Sequence, residues 1–205
     1  LGANKRAKTP SPTKSAGIDS RNGEFIDWTY SMGVVLGGML RATDVTGDPR
    51  FAAYTQRNFD FIFTHLPYFR AQAKAFGPQK DGYRRLLDMH ELDDCGSIGA
   101  ALVQAYARKK DPRYLEGIDL VAKHVGTKQP RLPDGTLCRP RPQPVSLWID
   151  DAWMSIPFLA RMGEWTGERK WFDDAARQVL GMSARLFDER KGLYDHSWYE
   201  NALPV

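Results

Sequence analysis

The sequence has few of the residues that covalent or metal-based stabilisation requires. Its 205 residues include two cysteines, Cys95 and Cys138, and their spacing forms no CxxC motif. A disulfide framework and a zinc site are therefore not indicated, and we expect two reduced thiols and no metal. No apolar run approaches the ~20 residues that a membrane-spanning helix needs. A phosphate-binding glycine loop and the GxSxG and HExxH motifs are also absent, which gives no support to nucleotide, serine-hydrolase or zinc-peptidase chemistry.

Concentrated positive charge is scarce as well. The net charge is +4, but the basic residues are dispersed among acidic ones, apart from a short run at residues 5–8. That run lies in residues 1–24, whose polar composition with Pro and Gly predicts a flexible leader. We therefore expect neither nucleic acid nor a membrane as partner, and a mildly basic protein suits a small anionic ligand. The first residue is Leu rather than Met, so the missing signal peptide assigns no compartment.

What the sequence does contain is a helical repeat. Residues 46–51, 109–114 and 166–172 are three versions of one helix-to-helix turn, with Asp48, Asp111 and Glu168 at equivalent places. Apolar residues at helical spacing flank each turn, whereas strand signals are nearly absent. Helical pairs that repeat at this interval indicate an all-α solenoid or a closed helical toroid, in which equivalent positions line one rim.

Two aspartate doublets occupy equivalent places in the second and third repeats. Asp93 and Asp94 precede one predicted helix, and Asp150 and Asp151 precede another. An aspartate in this position usually caps its helix, and that interpretation stays open for each of the four. The recurrence of the doublet at one rim favours chemistry, because two carboxylates facing one cleft are what carbohydrate-cleaving enzymes use most often. Burial beside a second carboxylate supplies the raised pKa that an acid catalyst needs.

Other candidate residues flank the doublets. Trp28, Trp148 and Trp198 have faces that suit sugar rings, although core packing explains any single Trp equally well. Residues 127–147 contain five prolines, which excludes regular helix and predicts a binding loop. In this loop Arg139 and Arg141 either clamp a carboxylate or remain solvated. His196 either contacts a sugar, positions a carboxylate or has no role.

Taken in order, these motifs resemble those of the unsaturated rhamnogalacturonyl hydrolases, glycoside hydrolase family 105, and the related unsaturated glucuronyl hydrolases of family 88. The resemblance covers roughly residues 25–200. It rests on four segments, which are Trp28-Thr29-Tyr30 with Gly33, Leu92-Asp93-Asp94-Cys95-Gly96, Trp148-Ile149-Asp150-Asp151 through Leu159, and Gly192-Leu193-Tyr194 with His196-Ser197-Trp198.

The resemblance implies an (α/α)6 toroid of six helical hairpins, of which this chain supplies about three. Residues 25–205 are then a partial domain that ends before the barrel closes. A later Gly-Arg-Gly-Asn-Gly-Trp-like segment of the family, which contributes an Arg and a Trp to the site, has no counterpart here. The family uses no metal or organic cofactor, and its members work in the bacterial cytoplasm or periplasm.

The resemblance also implies a reaction on oligosaccharides that a polysaccharide lyase has left with a C4=C5 double bond in the terminal uronate. By the spacing of the motif, Asp150 is the acid and base that protonates C4 and helps water add at C5, and Asp94 is the second aspartate. The expected substrate contacts are Tyr30, Trp28, Trp148, His196, Arg139 and Trp198.

Two other functions remain open at this stage. The same toroid serves conventional glycosidases that act on saturated chains. A helical-repeat scaffold that binds saccharides without turnover is the other alternative, although tetratricopeptide arrays repeat at 34 residues and need no doubled aspartate.

Overall fold

The computed structural model describes residues 28–77, 83–141 and 145–200, so the predicted leader lies outside the described residues. The described chain is predominantly helical, which confirms the all-α prediction. Its helices are α1 (Tyr30–Thr46), α2 (Pro49–Phe76), α3 (Arg84–Leu87), α4 (Gly96–Lys109), α5 (Arg113–Lys123), α6 (Asp150–Trp153), α7 (Ile156–Thr166) and α8 (Arg169–Leu186). A 3₁₀ turn (Leu92–Asp94) precedes α4, and a π turn (His124–Lys128) follows α5.

The long helices pair into three hairpins that stand in two layers. Helix α4 packs between α1 and α7, so these three helices form the first layer. Helices α2, α5 and α8 form the second layer, in which each packs against its hairpin partner, α1, α4 and α7 respectively. The core fills the space between the layers. Its largest fully buried members include Trp28, Leu36, Phe59, Ile98, Tyr114 and Phe158. No helix in the described parts of the chain combines the length and the apolar character that crossing a membrane requires.

The three predicted turns have the same local structure. Gly47, Lys110 and Gly167 end α1, α4 and α7 in the left-handed conformation, which satisfies the last helical carbonyls. Asp48 and Asp111 then accept a hydrogen bond from the backbone N–H two residues on, as expected for residues that start a helix. The repeat read from the sequence is therefore a structural repeat.

Two glycines allow the first-layer helices to approach closely. A Cβ atom added to Gly96 would lie 1.5 Å from the carbonyl oxygen of Met154, and one added to Gly33 would lie 2.2 Å from the backbone nitrogen of Ile98. These contacts are too short for any side chain. The second and third repeats therefore meet through backbone at the N-terminal ends of their helices, where both doublets lie.

Four short strands complete the described fold. They are β1 (Ser146–Trp148), β2 (Phe187–Asp188), β3 (Leu193–Tyr194) and β4 (Ser197–Tyr199). Strand β2 pairs with β3, and β1 pairs antiparallel with β4 so that Leu147 opposes Trp198. The second pairing matters for the site, because it brings the segment after α8 beside the start of α6.

Candidate functional site

Asp150 begins α6 and presents its carboxylate to solvent, with 47% of the side chain exposed. Its Oδ2 atom lies 3.2 Å from Nε2 of His196. A backbone hydrogen bond fixes the position of His196, because its carbonyl oxygen accepts from the N–H of Ile149 at 2.9 Å. The structure thus brings together the predicted acid and the predicted histidine as an accessible pair.

Trp148 forms one wall beside this pair. The centroid of its ring lies 5.4 Å from that of His196, and Cζ of Arg139 lies 4.6 Å from its centroid. The indole of Trp148 is therefore in contact with both the guanidinium of Arg139 and the imidazole of His196. An indole fixed in this way suits contact with the apolar face of a sugar ring.

Asp151, in contrast with Asp150, has no exposed surface. It accepts a two-pronged ion pair from Arg139, with Nε 2.8 Å from Oδ2 and Nη2 2.7 Å from Oδ1. Burial raises the pKa of the Asp151 carboxyl, and the hydrogen bonds and charge of Arg139 oppose that rise only in part. Neither member of this doublet caps α6, so the capping interpretation is wrong here.

The first doublet has one buried and one partly exposed member. Asp94 is buried, and its Oδ2 accepts the N–H groups of His90 and Glu91 at 2.9 and 3.4 Å. Its Oδ1 pairs with Nε of Arg85 at 3.0 Å. Asp94 is therefore a capping residue of its own turn, and Asp93 is the partly exposed carboxylate of the doublet, 3.1 Å from Nη2 of Arg139.

Three predicted substrate contacts occupy different environments. Trp28 is fully buried and donates its Nε1–H to the carbonyl oxygen of Asp94 at 2.7 Å, so it is a core residue and not a ligand contact. Trp198 opposes Leu147, packs on the core beneath β1 and lies 5.6 Å from Cζ of Arg185, on the face of the sheet away from Trp148. Tyr30 is exposed at the first residue of α1.

The two loop arginines also differ in burial. Arg139 is buried, and its Nε and Nη2 atoms donate to Asp151 and Asp93 while Nη1 lies 3.6 Å from Oε2 of Glu91, so the solvated alternative does not apply to it. The side chain of Arg141 is 67% exposed, and its Nη2 atom donates to Oε1 of Glu91 at 2.5 Å. A cavity of about 240 Å³ opens between these groups. It is lined by Glu91, Arg139, Arg141 and Trp148.

Sequence reasoning missed the greater exposure of Asp93 and the internal ion pairs of Arg139. The doublet itself gives no sign of which aspartate is buried, because that depends on the 3₁₀ turn over Leu92–Asp94. Within the described ranges, no cluster of three His, Cys, Asp or Glu side chains could hold a metal ion. Chemically, the site offers an exposed carboxylate with an imidazole, an indole wall and one accessible cation.

Comparison with known proteins adds a family and a fold. Residues 8–203 match the sequence profile of Glycosyl Hydrolase Family 88. A possible member of glycoside hydrolase family 105 from Salmonella enterica has a TM-score of 0.65 at 21% identity, over 85% of this chain and 41% of that one. The family 105 glycoside hydrolase of C. acetobutylicum has a TM-score of 0.63 at 22% identity, over 88% and 46% respectively.

The helical architecture also extends beyond these families. The alpha-1,6-mannanase of glycoside hydrolase family 76 from Salegentibacter sp. HEL1_6 has a TM-score of 0.58 at 16% identity, over 84% of this chain and 47% of that one. At these identities the solved structures show the fold alone, which is that of helical-toroid glycosidases. The chain spans less than half the length of each solved chain to which it is compared.

Proposed function

Because this chain belongs to glycosyl hydrolase family 88, we infer that it forms part of a hydrolase that removes an unsaturated uronate from oligosaccharides produced by polysaccharide lyases. One observation carries the proposal. Asp150, the residue that the family motif marks as the acid, is the exposed aspartate of its doublet and stands 3.2 Å from His196 beside the wall of Trp148. Its neighbour Asp151 is buried and occupied by Arg139.

The proposed reaction starts with hydration of an enol ether. The protonated Asp150 carboxyl gives its proton to C4, and a water molecule adds its oxygen to C5 and returns a proton to Asp150. The product is a hemiketal at C5. Its ring C5–O bond breaks to leave a ketone at C5 and a hydroxyl on C1. The hemiacetal at C1 then collapses to an aldehyde and releases the remaining saccharide, so that one water is consumed overall.

Water addition requires the carboxyl to bear a proton first and to accept one afterwards. The Asp150–His196 contact suits this cycle, because an imidazole nitrogen donates to an ionised carboxylate and accepts from a protonated one. We assign the second carboxylate of the site to Asp93 rather than to the buried Asp94. Asp93 lies at the edge of the Arg139 cluster and is the member of its doublet that retains exposure.

The accessible cation supports an anionic substrate. A uronate carries a carboxylate, and the guanidinium of Arg141, which is 67% exposed, lines the 240 Å³ cavity beside Trp148. We therefore expect Trp148 to pack against a sugar ring and Arg141 to bind a carboxylate. Unsaturated galacturonyl-rhamnose is the first substrate to test, since the motifs most resemble those of family 105.

The test follows the ultraviolet absorbance of the conjugated uronate when lyase-digested rhamnogalacturonan is mixed with the protein. The proposal predicts loss of absorbance with release of one saccharide per uronate. If absorbance persists with this and with other unsaturated uronides, the proposal is wrong. Release of reducing ends from the undigested polysaccharide would instead identify a conventional glycosidase, and binding without turnover would identify a saccharide-binding scaffold.

A further inference from the structure

Arg139 joins two repeats at the cleft. It pairs with Asp151 at the start of α6, and through Nη2 with Asp93 in the turn before α4. Its Nη1 lies 3.6 Å from Oε2 of Glu91. A single buried guanidinium therefore contacts three carboxylates from two successive repeats, and no hydrogen of its Nε or Nη2 is left for a ligand.

The same guanidinium also packs on the indole ring of Trp148. Its Cζ lies 4.6 Å from the ring centroid of Trp148, and that ring borders His196. Trp148 and the aspartates are thus linked through one side chain. Burial works against the charged form of Arg139, but the hydrogen bonds and charges of Asp151 and Asp93 outweigh it and raise its pKa. Arg139 is consequently a permanent cation behind the cleft.

The charged groups that surround Asp150 can be named from each packed element. His196 faces it from the segment before β4, and Asp151 adjoins it in α6. Behind Asp151 stand Arg139, and then Asp93 and Glu91 from the turn before α4. Arg139 is the one buried cation among these residues, so its removal would leave Asp151 buried with no compensating charge.

We propose that Arg139 is the positioning residue of the cleft, which turns Asp151 away from solvent, holds Asp93 at the edge and fixes Trp148, so that Asp150 faces the ligand and Asp151 does not. Arg139 acts through these neighbours, because Asp151 and Asp93 occupy its Nε and Nη2 atoms. The kinetic part of this assignment rests on the proposed hydrolase function, whereas the placement of Trp148 can be measured without any substrate.

Kinetics of Arg139→Met, Arg139→Lys and Arg131→Met give the first test. Arg131 is the matched control, since it forms a comparable two-pronged ion pair with Asp174, with N–O distances of 2.8 and 2.7 Å. This pair does not line the cleft. Loss of positioning should lower kcat of Arg139→Met by about 10²-fold with KM changed less than about threefold, because misplacement acts on the reacting geometry. Arg139→Lys should recover part of kcat, and Arg131→Met should match the wild type.

Arg139→Met leaves Asp151 buried and unpaired and for that reason is prone to unfold, so the double variant Arg139→Met/Asp151→Asn is needed. It removes both charges. A merely structural role predicts that the double variant regains stability and kcat together. A positioning role predicts that the double variant regains stability while its kcat stays about 10²-fold low. Thermal denaturation measures the stability.

The substrate-free test uses the indole N–H resonance of Trp148, assigned with Trp148→Phe. The proposal expects this resonance to move in the double variant and to stay in place in Arg131→Met. An unmoved resonance, or wild-type kcat in the folded double variant, would overturn it. If the wild type turns over no unsaturated uronide, the hydrolase proposal fails, and the resonance still decides whether Arg139 places Trp148.

Discussion

Nε2 of His196 lies 3.2 Å from Oδ2 of Asp150, although 46 residues and all of α7 and α8 separate them in sequence. The contact is produced by the pairing of β1 with β4, which ends beside both residues. The backbone bond from Ile149 to the carbonyl of His196 extends that pairing by one step. The small sheet thus positions the imidazole on the carboxylate that we propose as the acid.

Removal of this imidazole should slow turnover. We expect His196→Ala to lower kcat by about 10- to 100-fold, because the group that orients Asp150 through both of its protonation states is lost. Steady-state rates on the accepted unsaturated uronide measure the effect. His90→Ala is the matched control, since His90 forms another exposed pair, with Asp88 at 3.0 Å. Equal losses in the two variants would contradict the role of His196.

Arg141 should contribute to affinity more than to the chemical step. Replacement by Met is expected to raise KM about tenfold at low salt, which corresponds to about 1.4 kcal/mol of lost binding. The effect should shrink as salt is added, because an exposed ion pair is screened. Arg190→Met is the comparison, since Arg190 is likewise exposed and lies 3.7 Å from Asp188. A KM that is unchanged in Arg141→Met at low salt would remove Arg141 from the site.

Gly96 tests how closely the repeats approach. Gly96→Ala should reduce the free energy of unfolding by more than about 3 kcal/mol, because the new Cβ atom would overlap the carbonyl of Met154 and backbone would have to shift. Gly38→Ala is the control within helix α1. No atom lies within 4 Å of its added Cβ, so it should stabilise by up to about 1 kcal/mol through helix propensity. Urea denaturation measures both, and similar values would refute the close packing.

Acid stability should depend on Asp134. Hydrogen bonds from Thr136, helped by the ion pair with Arg185, lower the pKa of Asp134 from 3.8 to about 2. A folded-state pKa below the unfolded value stabilises the fold above about pH 4, and this contribution disappears as the pH falls through about 2. Asp134→Asn should therefore lower the melting temperature at pH 6 and do so much less at pH 2. With 46% of the side chain exposed, the loss should stay below about 1 kcal/mol. An equal loss at both pH values would show that charge is not the cause.

The helical repeat could be predicted from the sequence because turns and periodicity are local signals. The burial of each side chain in the site could not be predicted, because it depends on segments that are distant in sequence. The Leu92–Asp94 turn rotates Asp94 inward, and Arg139 becomes internal only because Asp151 and Asp93 converge on it. The break between α6 and α7 has a local cause by contrast, because Pro157 stands in the first turn of α7, where its missing N–H is not needed.

The aromatic residues show the same limit. Trp28 and Trp148 both stand next to motif residues, but one fills the core and the other borders the cleft. Trp198 follows the period of a strand, so pairing with Leu147 turns it toward the core. That pairing joins residues more than fifty positions apart, and short strands leave almost no pattern by which to predict it.

The most direct test of the central claim compares the wild type with Asp150→Asn on one lyase-generated unsaturated uronide. Because Asp150 is exposed, the substitution should leave the circular dichroism spectrum unchanged. We predict that the conjugated uronate absorbance disappears with the wild type and persists with Asp150→Asn. Loss of absorbance at the wild-type rate in Asp150→Asn would contradict the assignment of Asp150 as the proton donor to C4.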